Sequence, residues 1–133
     1  MADRYFSPRE VEALIPALTA IMTRVMKAHA EAAAVKERLM AEQRRIELAG
    51  GGVLDADVWR AGRAELDTLA GRVRAGLDEI VELGGVPKDV GAGLVDFIHL
   101  RGGREVNLCW KYGERHIRWW HGLDEGYAGR KPL

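Results

Sequence analysis

The stretch Gly93–His121, GLVDFIHLRGGREVNLCWKYGERHIRWWH, decides how the rest of this 133-residue chain is read. Its apolar residues recur at every second position, the mark of strands with one covered face. Gly102-Gly103 signals a two-residue hairpin turn, because a type I′ turn needs positive φ at both central positions. Pairing across it sets Arg101 opposite Arg104, His99 opposite Val106, Phe97 opposite Leu108 and Val95 opposite Trp110. Gly113-Glu114 offers a second turn, which would set Trp110 opposite Ile117, Leu108 opposite Trp119 and Val106 opposite His121. The expectation is a three-stranded antiparallel meander over 93–121, followed by a polar tail over 122–133.

Strict alternation sorts these side chains onto two faces. Val95, Phe97, Val106, Leu108, Trp110, Ile117 and Trp119 form the face to be buried, with His99 and His121 towards one end. Leu94, Asp96, Ile98, Asn107, Cys109, Lys111, Arg118 and Trp120 form the other, a mixture of charge, thiol and aromatic. A slip of one residue in either turn would exchange the faces of a strand.

What this sheet covers lies upstream. Ser7-Pro8-Arg9-Glu10 reads as a capping box, with proline at the first helical position and Phe6 placed to staple onto Val11. A seven-residue apolar repeat then runs through Val11, Leu18, Val25, Ala32, Leu39 and Ile46, and through Leu14, Ile21, Ala28 and Val35. This gives a first helix over 7–48, with a kink expected near Pro16, where a backbone hydrogen bond is lost. The run Ala49-Gly50-Gly51-Gly52 ends it, and Asp55 or Asp57 caps a second helix over 55–84, stopped by Gly84-Gly85 and Val86-Pro87. The short connection makes an antiparallel, coiled-coil-like hairpin the default. At 1.5 Å per residue the helices would span on the order of 60 and 45 Å, so the N-terminal turns should overhang and dock on the sheet. Apolar flanks at Ile15, Met22, Met26, Leu77 and Val81 are expected to be covered by a second copy in a four-helix homodimer, the alternative being cover by the sheet and long Arg and Lys stems. The fold class is therefore α+β, a single domain over 1–133.

Twenty basic residues balance twenty acidic ones, which leaves no global field to draw in nucleic acid or an anionic membrane. One cysteine cannot form an internal disulfide, no signal-peptide layout opens the chain, and no apolar run is long enough to span a bilayer. A soluble cytoplasmic protein is expected.

Four groupings could carry chemistry. Cys109 beside Lys111 and Arg118 could be an activated thiolate or redox sensor, against the plainer reading of an inert strand cysteine. His99 and His121, with a carboxylate such as Asp124 or Glu10, could hold Zn or Fe, although no HxH, HxxxH or CxxC spacing is present. Asp96, Lys111, Glu114 and Arg118 would pair across strands, and with Trp120 and an overlying Arg130 they could form a shallow pocket for a small anion or a partner's side chain. Finally, Arg101, Arg104, Lys111, Arg115, Arg118, Arg130 and Lys131 among Trp110, Tyr112, Trp119 and Trp120 could take single-stranded nucleic acid, but five acids in the last forty residues offset these seven bases.

With these residues laid out, the chain resembles a bacterial family known as domain of unknown function 2203. The likeness runs through Tyr5-Phe6-Ser7 with Glu10 and Pro16, Gly93-Leu94-Val95-Asp96-Phe97, Gly103-Arg104-Glu105-Val106, Leu108-Cys109-Trp110-Lys111, Gly113-Glu114, Trp120-His121 and the closing Gly126–Leu133. The chain departs from the family's pattern at Ile98, where proline is usual. The resemblance implies the architecture and no activity. The expected function is a non-enzymatic interaction or small-ligand-binding module that uses Asp96, Cys109, Lys111, Glu114, Arg118, Trp120 and Arg130. The alternatives are a Zn or Fe enzyme centred on His121 and His99, thiol chemistry at Cys109, and single-strand binding.

Overall fold

The computed structural model describes residues 4–50 and 55–133. Gly51 and Gly52, part of the expected inter-helix turn, lie outside them. Helix α1 (Pro8–Leu48) opens on the expected capping box: the Ser7 hydroxyl accepts from the Glu10 N–H, and the Glu10 carboxylate accepts from the Ser7 N–H. The helix runs through Pro16 without interruption. Helix α2 (Ala56–Glu82) starts under Asp55, whose side chain accepts from the Asp57 and Val58 N–H groups. It ends in a Schellman motif, with Gly84 at φ 99° and its N–H bonded to Val81, while the Gly85 N–H reaches Ile80. The two helices pack against each other along the hairpin. No described helix is long and apolar enough to cross a membrane.

Five strands follow in one antiparallel sheet, ordered β1 (Val86–Asp89), β2 (Leu94–Arg101), β3 (Arg104–Lys111), β4 (Trp119–Gly122) and β5 (Lys131–Pro132). The sheet therefore has five strands where three were expected, with one added at each edge. Both added strands contain a proline, Pro87 and Pro132, and an edge is where a strand tolerates the missing N–H. The residues expected to be a loop after α2 and a plain polar tail are thus partly ladder. The β2–β3 register is the expected one throughout, and Gly102 and Gly103 carry positive φ values of 57° and 79°. It continues unbroken past Ile98.

The β3–β4 register differs by one residue. Val106 faces Gly122, Asn107 faces His121 and Leu108 faces Trp120. The cause lies in the connection. After the turn closed by the Glu114 N–H on the Lys111 carbonyl, residues 115–118 leave the ladder, and the Ile117 N–H is bound instead by the Glu12 carboxylate of α1 at 3.0 Å. The strand rejoins with one residue of slack, which turns every side chain of β4 over. Trp120 moves to the core side, and His121 moves to the side of Asp96 and Cys109.

The main core unites the N-terminal half of α1 with the inner face of the sheet. Val11, Leu18, Met22 and Val25 meet Val95, Phe97, Leu108 and Trp110, all fully buried. The expected docking of the N-terminal turns is present: the Phe6 N–H donates to the Ile98 carbonyl at 2.8 Å, and Phe6 packs edge-on against Phe97. Ile15 and Met22, read from sequence as awaiting a second copy, are covered by this packing within one chain, while Val81 remains 59% exposed. A second, smaller cluster of Ala28, Val35, Leu39 and Leu69 holds the distal hairpin.

Candidate metal centre

Strands β2, β3 and β4 each place one metal-ligating side chain on the outer face of the sheet. Asp96 and Cys109 are cross-strand partners, and the shifted register brings His121 beside them. A carboxylate oxygen of Asp96, the Cys109 sulfur and a ring nitrogen of His121 all lie within 4.8 Å of one another. Each residue is 2% exposed. A buried Asp, Cys and His at one spot must be satisfied by one another or by something they hold.

The hydrogen bonds of His121 define its state. Nδ1 lies 2.8 Å from the Gly122 carbonyl oxygen, which can only accept, so Nδ1 carries a proton and donates. Nε2 lies 3.0 Å from Asp96 Oδ1. Two lone pairs would repel at that distance, so without a cation between them one proton is shared by the imidazole and the carboxylate. A metal ion is the other species that can stand in that proton's place. A histidine whose Nδ1–H is fixed by a backbone carbonyl and whose Nε2 points at further donors has the arrangement usual for a metal ligand.

Both histidine nitrogens are therefore engaged, and neither is free to take a proton from Cys109. This argues against a cysteine–histidine nucleophile, for which the imidazole must face the thiol. Burial pushes the Cys109 thiol above its ordinary value, and Asp96 adds to the shift, while Arg130 opposes it. A raised value means that the folded state favours the protonated thiol. Its contribution to stability is present below the unfolded value and lost as pH rises through the folded one. Iodoacetamide should thus alkylate the metal-free folded protein slowly near neutrality, with a pH midpoint above the ordinary cysteine value of about 8.5. A midpoint below that value would restore the activated thiolate.

Arg130 ties the C-terminal segment over this face. Its guanidinium donates to the Glu114 carboxylate at 3.0 and 2.6 Å and to the Cys109 carbonyl at 3.0 Å, with the side chain 11% exposed. Glu114 also accepts from the Lys111 N–H at 2.7 Å, and its own carbonyl accepts from the Trp110 indole. Tyr127, on a single 3₁₀ turn (Tyr127–Gly129), lies under the cations of Arg130 and Lys111.

The other residues singled out from sequence disperse. Trp120 packs on the core side, with Arg101 and Lys131 against its ring. Arg118 lines a separate shallow hollow with Arg115, His116 and Trp119. His99 lies on the opposite face from His121, its ring bound to the Phe6 carbonyl at 2.7 Å, so the expected His99–His121 pairing does not form. Neither Glu10 nor Asp124 completes it: Glu10 is the helix cap, and among the described residues the one potential metal-binding group is Asp96, Cys109 and His121. Trp110 is fully buried and offers no ring face to a base. The parts of the site that sequence reading missed are the convergence itself and the cavity wall formed by Lys88 and Tyr127. The first depends on the one-residue slip in β4, for which the sequence held no local signal.

Comparison with curated proteins and with solved structures gives no match. Residues 4–133 match the model of the family described as Uncharacterized conserved protein (DUF2203), so essentially the whole chain belongs to that family.

Proposed function

We propose that this chain is a metal-binding module in which Asp96 Oδ1, Cys109 Sγ and His121 Nε2 hold a divalent ion of the zinc class. The observation behind this reading is the convergence of three different ligand types, from three strands, within 4.8 Å and out of solvent. A mixed sulfur, nitrogen and oxygen set suits Zn²⁺, with Fe²⁺ next. Tetrahedral zinc with bonds of about 2.0–2.3 Å sets its donors roughly 3.3–3.6 Å apart. The 3.0 Å Asp96–His121 contact must then open slightly, a movement that side-chain torsions can supply. Binding would release the thiol proton, so affinity should rise with pH.

Elemental analysis of tag-free protein, refolded with Zn²⁺ or with Fe²⁺ under reducing conditions and passed through a desalting column, tests the reading. One ion per chain is expected, lost on His121→Ala and on Cys109→Ser and retained on Arg118→Ala. Protein that folds and holds neither ion above the His121→Ala background would end the metal reading.

A further inference from the structure

We infer that the ion at this site keeps one coordination position open, and that this position takes a small anion of three or four non-hydrogen atoms, of the carboxylate or bicarbonate class. The inference rests on the metal reading above and goes further by naming what the metal would bind. Three protein donors leave a tetrahedral ion one ligand short, the arrangement of catalytic rather than structural zinc. The missing position has somewhere to face. A cavity of about 100 Å³ is lined by Asp96, Cys109 and His121 on one side and by Lys88, Glu125 and Tyr127 among others. It has room for a few water-sized groups, which favours a compact ligand.

Its walls set the ligand's charge. Lys88 enters this wall from an irregularity in the sheet: Pro87 pairs with Val95 and Asp89 with Leu94, so Lys88 is the extra residue of a β-bulge. Bulges re-aim side chains and recur beside active sites. The Tyr127 wall is backed by the cations of Arg130 and Lys111, 4.7 and 5.1 Å from its ring. Arg130 is paired with Glu114 and Glu125 with Lys131, and Asp96 and the Cys109 thiolate together neutralise a divalent ion, so Lys88 and Lys111 are the cations that leave the cavity attractive to negative charge.

The remaining carboxylate is Glu125, the obvious rival for the fourth position. It is already engaged. Glu125 Oε1 accepts from the Gly122 N–H at 2.7 Å and from the Lys131 ammonium, and these bonds hold its carboxyl below the usual carboxylate range. Both bonds fall on Oε1, so Glu125 could reach the ion only through Oε2 or by releasing the loop it closes after β4.

The test uses full-length protein loaded with Co²⁺, whose visible d–d bands report coordination and whose sulfur-to-metal charge-transfer band reports Cys109. Formate, acetate and bicarbonate are each titrated in at constant ionic strength. Saturable changes in the d–d bands are expected for these anions and not for benzoate, with the charge-transfer band retained. Lys88→Ala should weaken the anions by about three- to tenfold without altering the anion-free spectrum. Glu125→Gln should also leave that spectrum unchanged. A spectrum altered by Glu125→Gln, or one indifferent to all three anions at 100-fold the concentration of protein and above, would mean a closed structural site and overturn this inference alone. Failure to bind Co²⁺ at all would overturn the metal reading with it.

Discussion

His121→Ala is expected to cost the metal-free protein about 3–5 kcal/mol of folding stability. The substitution leaves the Asp96 carboxylate 2% exposed, without its 3.0 Å partner. The Cys109 thiol beside it is a weak donor and does not replace the lost ring. Asp96 must then take up a proton or admit water, and either draws on stability. Asp96→Asn should be milder, at about 0.5–1.5 kcal/mol, because the amide can turn an N–H towards Nε2 while Nδ1–H keeps its bond to Gly122. Urea unfolding in the presence of a chelator measures both. Equal losses, or a loss below 1 kcal/mol for His121→Ala, would show that the pair is solvated and that the burial argument fails.

The second large effect belongs to the end of α2. Gly84→Ala is expected to destabilise by about 3 kcal/mol, from two independent causes. Gly84 has φ 99°, a conformation that a Cβ disfavours by about 1–2 kcal/mol. That Cβ would also fall on Cζ of Phe6, itself 3% exposed and braced against Phe97, so the ring has little room to retreat. Overpacking of this kind typically adds about 1–3 kcal/mol. Gly71→Ala in the same helix is the control. Nothing lies within 4 Å of its prospective Cβ, and the change should stabilise by about 0.4–1 kcal/mol through the unfolded chain. Parallel responses from the two glycines in thermal unfolding would contradict the seating of Phe6 under the helix end.

The difference between what the sequence disclosed and what it hid follows the range of the interactions involved. The Ser7–Glu10 box, the Asp55 cap and the Gly102-Gly103 hairpin are decided within four residues, and all three were legible. The β2–β3 register followed from the hairpin, since a two-residue turn leaves no slack. The β3–β4 register did not follow from Gly113-Glu114. It depends on the Ile117 N–H being held by Glu12, 105 positions earlier, which no local pattern reveals. That single residue of slack separated His121 from Asp96 and Cys109 in the sequence reading and joined it to His99. The outer face looked solvated for a related reason. Its cover is the Tyr127 turn just before β5, in a segment that holds two glycines, a proline and two cations and was read as tail. Each residue of the trio was identified; their meeting was not.

The packing of the first helix against the last strands also bears on the order in which the protein can be made. Val11, Leu18 and Met22 are covered by residues of β2 and β3, and Glu12 by residue 117, so the first turns of α1 emerge long before their partners. At about 5–20 residues per second, the roughly ninety residues between them take about 5–20 s to synthesise. For most of that interval even α2 is unmade, and afterwards an apolar stripe several turns long has only α2 to lean on. The sheet itself needs no such wait, since each strand pairs with its immediate successor. The late event is closure of the sheet on α1, and the nascent chain's vulnerability to aggregation is concentrated at its start.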